Sequence, residues 1–185
     1  MNAFELQSVS LTLFVKTIVT MLGSTTVPSV ELIYDGATAY SIEQNVIRFK
    51  APFFYENQEH VRAIAHECYH AYEFGGKAPK MSYTEGDRQI IEQNCSEYEY
   101  KYDFEKRAEV FSCAFANFFI KEVVGYNYKE LYPTISREAK NKYPELISIE
   151  ATMLQEYIVL KEKYKALFQK NRDKLIEMYS DLHGL

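Results

Sequence analysis

The 185-residue chain contains no run of about eighteen apolar residues, so no segment is expected to span a membrane. It has no Lys/Arg-rich run either, and its formal net charge is −5. The basic surplus that nucleic acid or an anionic membrane surface demands is therefore missing, and neither is an expected partner. Cysteine is scarce and odd in number. Cys68, Cys95 and Cys113 are widely spaced and do not form a disulfide framework, which points to reduced thiols in a cytoplasmic protein. The N-terminal stretch lacks the basic start of a secretory leader. Glu5 stands near its front and Lys16 interrupts the apolar run Leu11–Val15, so residues 3–22 read as a buried first helix. Internal repeats and low-complexity tracts are absent, and histidine occurs only four times.

Apolar residues make up 47% of the chain, enough for the core of one compact domain with an appendage. After a Gly/Ser/Thr/Pro break over residues 23–29, Val30–Tyr34, Ala39–Ile42 and Asn45–Lys50 read as short strands. Asp35-Gly36 marks a turn. These strands are expected to form a small antiparallel sheet ahead of a helix over residues 58–74, which Gly75-Gly76 and Pro79 end. Residues 77–86 read as a loop. Residues 87–124 return to helical spacing with a break near Asn94. Phe104, Ala108, Phe111, Phe115 and Phe118 form a core stripe there. Residues 125–144 are mixed, and a long helix is expected over 146–182. Its 4-3-4-3 spacing, from Met153 through Tyr157, Leu160 and Tyr164 to Leu167, suits packing on the same chain. It also suits a seam joining two copies of the chain as a homo-oligomer. The expected class is α+β and mostly helical.

The chemistry concentrates in His66-Glu67-Cys68-Tyr69-His70, an HExxH sequence inside a segment that reads as a helix on its own grounds. Residues four apart stand on one helix face, one turn apart. Two imidazole nitrogens can then reach one Zn²⁺ at about 2.0–2.1 Å. Glu67, beside that face, can take a proton from a water whose pKa zinc lowers to about 7. Cys68 projects away from both histidines.

A catalytic zinc needs a third protein ligand. Position 73 is Glu and position 76 is Gly, so no third histidine extends the motif; His60 points off the ligand face and His183 lies near the C-terminal end. A carboxylate from the next helix is expected, with Glu105 the choice. Glu109 on the same face suits a hydrogen bond to the far nitrogen of a ligand histidine. Ala108 and Ser112 alongside would let two helices approach closely. Read alone, both acids equally suit a solvated surface, and Glu92, Glu97, Glu99 and Asp103 compete for the ligand role.

With His66–His70 followed by Glu105-x-x-Ala108-Glu109-x-Phe111-Ser112, the chain resembles the gluzincin class of zinc peptidases. More narrowly, residues 30–120 resemble the ImmA/IrrE family, whose second motif is Glu-x-x-Ala-Asn/Asp-x-Phe-Ala; lethal-factor-type peptidases carry a similar segment. This sequence has Glu109 where the narrower family prefers Asn or Asp, and Phe118-Phe119-Ile120 where a Leu-Leu-Met-Pro ending is common. The resemblance implies that His66, His70 and Glu105 bind zinc, that Glu67 is the general base, and that the target is a regulatory protein. Residues 1–125 are then the metallopeptidase-like unit and 126–185 a helical extension packed on it. The expected activity is endopeptidase cleavage of a protein or peptide substrate, which strand Asn45–Lys50 would hold by β-addition. The alternative is a non-catalytic zinc-binding interaction module that uses the C-terminal helix. An oxyanion-stabilising tyrosine or histidine is expected; among the tyrosines, Tyr69, Tyr72 and Tyr83 lie nearest in sequence.

Overall fold

A computed structural model describes residues 3–75, 84–93 and 96–184. Helix α1 (Ala3–Met21) buries Leu11, Phe14, Val15, Ile18 and Val19, the apolar positions that its helical spacing aligns. Phe14 sits against Phe53, Tyr55, Phe115 and Phe119, so this first helix is a central element.

Strands β1 (Ser29–Ile33), β2 (Ala39–Ser41) and β3 (Val46–Lys50) form a sheet in the order β1-β3-β2. The sheet is mixed, which corrects the antiparallel expectation. β1 runs parallel to β3 with Ser29 opposite Val46, while β2 is antiparallel to β3 with Tyr40 opposite Ile47. Burial decides the order. Val46, Ile47 and Phe49 make β3 the most deeply buried strand, and it takes the centre. The turn at Ile42–Asn45 then reverses the chain, and β2 is left at the edge; Asn45 adopts φ 50 and its side chain accepts a hydrogen bond from the Tyr40 hydroxyl at 2.8 Å.

Helix α2 (Gln58–Phe74) starts where Asn57 accepts the N–H groups of Glu59 and His60. It stops at Gly75, whose φ of 51 lets its N–H reach the Ala71 carbonyl. Helix α3 (Glu85–Gln93) begins two residues before the expected boundary, and residues 77–83 of the expected 77–86 loop lie outside the described residues. A 3₁₀ turn (Ser96–Lys101) leads into α4 (Asp103–Phe118), which continues as a π-helical turn (Phe119–Val124) up to Gly125. Helix α5 (Arg137–Lys142) is short. The long C-terminal helix of the expectation divides at Asn171 into α6 (Leu146–Lys170) and α7 (Arg172–Gly184).

α4 packs between α2 and α6. From Ala108 onward its aromatic stripe is buried, and Phe168 of α6 contacts Phe111, Phe115 and Phe118. Met153 and Tyr157 of the 4-3-4-3 stripe are buried within the chain. One apolar cluster runs from α1 through β3, α2 and α4 to α6 and α7, so the residues after 125 share a core with those before it. Among the described residues no helix is long and apolar enough to cross a membrane.

Candidate metal centre

The face-sharing of residues 66 and 70 on α2 brings the two imidazoles to ring centroids 4.7 Å apart, with the Nε2 atoms 3.0 Å from each other. Glu105, in the first turn of α4, meets both. Its Oε2 lies 3.1 Å from His66 Nε2 and 3.0 Å from His70 Nε2. The three donor atoms thus form a near-equilateral triangle on buried side chains, drawn from two helices packed against each other. Ligand atoms about 2 Å from a tetrahedral ion stand roughly 3.4 Å apart, so a small opening of the triangle admits one divalent cation. Two imidazoles and one carboxylate are also the donor chemistry of a catalytic zinc site, and His66, His70 and Glu105 together could hold one ion.

Glu109 stands one turn beyond Glu105, and its Oε2 lies 3.3 Å from His66 Nδ1. This carboxylate is only 2% exposed. Arg62 Nη1 donates to both of its oxygens at 2.8 Å, and Cys113 Sγ donates to Oε1 at 3.4 Å. Arg62, one turn before His66, also donates from Nε to Glu59 at 2.8 Å. Burial opposes charge on Glu109, yet His66 and Arg62 outweigh it and hold the carboxyl at about 2. Burial likewise opposes the imidazolium form of His66, but hydrogen bonds to Glu105 and Glu109 raise its pKa well above the ordinary histidine value. A proton would therefore compete with any metal ion for His66 Nε2. The Glu105 carboxyl, buried but bonded to His66 and His70, lies far below the ordinary range.

Glu67 points into a cleft of about 540 Å³ that His66, His70 and Glu105 also line. The backbone N–H of Tyr40, on edge strand β2, donates to Glu67 Oε2 at 2.8 Å. Burial raises the Glu67 pKa, against the pull of His66, His70 and the Tyr40 N–H. A base with a raised pKa is better matched to taking a proton near neutral pH.

Two of the other candidates, Glu97 and Asp103, are engaged elsewhere. Glu97 accepts from the Ser136 N–H and hydroxyl, and Asp103 pairs with Lys106 at 2.7 Å. Glu99 lines the cleft, whereas the Glu92 side chain lies outside the described residues. His60 accepts the Phe54 N–H on the far side of α2, and the His183 side chain is not among those described. Cys68 is fully buried in the core, where burial keeps its thiol protonated; Cys113 is buried too, and Cys95 lies outside the described residues. The tyrosine expectation is not met by the two that can be judged. Tyr69 packs on Phe111 and Tyr72, and Tyr72 is 40% exposed; neither lines the cleft, and Tyr83 lies outside the described residues. Strand Asn45–Lys50 is also corrected as a docking strand, because β1 and β2 occupy both its edges.

Sequence reasoning missed two contributors. Tyr40 acts through its backbone, which leaves no side-chain signal. Arg62 did carry one, standing four residues before His66 on the same helix face. Comparison with protein-family models, with curated proteins and with solved structures yields no match to this chain.

Proposed function

We propose that the protein is a cytoplasmic zinc-dependent metallopeptidase of gluzincin type, resembling the ImmA/IrrE family, that cleaves peptide bonds within a protein substrate such as a regulatory protein. The observation that carries this reading is the convergence of His66, His70 and Glu105 on one point beside Glu67. Zinc bound there would polarise a carbonyl group and acidify a water. Glu67, oriented by the Tyr40 N–H, then accepts the water proton and passes it to the leaving amine. Glu109, accepting from His66 Nδ1, would hold His66 in the tautomer that leaves the Nε2 lone pair free for an ion, and Arg62 would keep Glu109 in place.

A second reading, a non-catalytic zinc-binding interaction module, draws on Ile158 and Val159. These are 63% and 67% exposed on α6 and mark a surface for a partner or a second copy of the chain. Glu67→Gln separates the two readings. The peptidase reading expects the variant to retain zinc and to lose at least about a hundredfold in cleavage rate of a peptide library read by mass spectrometry. Equal cleavage by both proteins, or none by either, counts against it.

A further inference from the structure

Glu99 lines the same cleft, from the 3₁₀ turn that precedes α4. Each of the other carboxylates near the centre has a partner: Glu67 takes the Tyr40 N–H, Glu105 the two imidazoles, and Glu109 the Arg62 guanidinium. The Glu99 side chain makes no hydrogen bond or ion pair among the described residues. Attraction to His66 offsets only part of the cost of its charge. The cleft wall is otherwise largely apolar, with Ala37, Ala39, Ile42, Ile91, Phe74 and Phe104. Burial, followed by repulsion from Glu105, raises its carboxyl pKa to about 8. Arg88 shares the wall but is exposed on α3 and forms no ion pair among the described residues. A carboxyl group with no side-chain partner in a largely apolar cleft gains both a hydrogen bond and a charge partner when a ligand brings a cation.

Building on the peptidase reading, we propose that Glu99 sets substrate class by pairing with a cationic group of the bound peptide, an ammonium or guanidinium next to the scissile bond. Two sources share that chemistry, a Lys or Arg side chain and a free α-amino terminus.

Calorimetric titration of zinc-loaded Glu67→Gln, which binds peptides without consuming them, distinguishes these sources. Three probes of one apolar sequence suffice: acetylated with an internal Lys, unacetylated without Lys, and acetylated without Lys. At least one of the first two binds roughly tenfold or more tighter than the third, as a hydrogen bond to a charged group allows. Adding Glu99→Gln brings that ratio close to one while zinc content stays unchanged. Glu99→Lys guards against a folding artefact, because it shifts the preference to an acetylated probe with internal Glu. Equal binding of all three probes overturns the proposal. So does a preference that survives Glu99→Gln, or loss of zinc in that variant, which would make Glu99 a ligand. Absence of Glu67-dependent cleavage of the same probes by the wild type is a separate failure; it sinks the peptidase reading, and the binding ratio still decides the role of Glu99.

Discussion

Glu109 carries its charge in one of the driest positions of the chain, 2% exposed between Arg62 and His66. Taking one partner from a buried ion pair costs about 3–5 kcal/mol, because the remaining charge stays desolvated. Arg62 keeps 29% of its side-chain exposure, which places Arg62→Ala at the lower end, about 3 kcal/mol, in urea unfolding of the metal-free protein. A loss below about 0.5 kcal/mol would show that the pair contributes no more than an exposed one. At this scale the sequence is informative where helix geometry alone sets the neighbours. His66 and His70 stand four residues apart with Glu67 beside them, so their relative placement follows from residue spacing. Glu105 needed a further step, since its approach depends on how α4 docks on α2. The Tyr40 N–H and the position of Glu99 depend on long-range packing that no local pattern encodes.

The α3 helix is pinned to the start of α4 through Asp87. Its carboxylate accepts the Tyr102 hydroxyl and lies 3.0 Å from Lys101 Nζ, while the Tyr102 hydroxyl also accepts the Thr84 N–H at 3.1 Å. Tyr102, with Thr84 and Lys101 assisting, holds the Asp87 carboxyl at about 2, against an ordinary value of 3.8. A depressed carboxylate pKa stabilises the fold above the unfolded value and loses that contribution as pH falls through the folded one. Asp87→Asn is therefore expected to cost up to roughly 2 kcal/mol at neutral pH, with the gap to wild type closing between about pH 4 and pH 2. Urea unfolding measured across that range checks it; a gap independent of pH would contradict it. Elements with strong periodicity, α1 and α2 above all, were legible within a residue or so. The sheet was legible as three strands and not as a topology. Its parallel β1–β3 pairing depends on which strand is most deeply buried. The division at Asn171 was hidden because the apolar spacing continues across it.

Across the whole molecule the α6 helix completes the core that α4 begins. Phe168 is fully buried against Phe111, Phe115 and Phe118, and Phe168→Ala should cost about 3–5 kcal/mol. A single cooperative unfolding transition, coincident by near- and far-ultraviolet circular dichroism, is expected before and after that substitution. Two separated transitions would mean that the residues beyond 125 fold as an independent unit. The same packing sets the candidate metal centre, because the docking of α2 on α4 fixes the distance from His66 and His70 to Glu105. X-ray absorption at the zinc edge of the stoichiometrically loaded protein tests this most directly. The account predicts one ion per chain with two imidazole nitrogens and low-Z oxygen neighbours at about 2.0–2.2 Å, and loss of that signal in Glu105→Ala. A sulfur shell at about 2.3 Å, or failure to retain zinc at all, would contradict it.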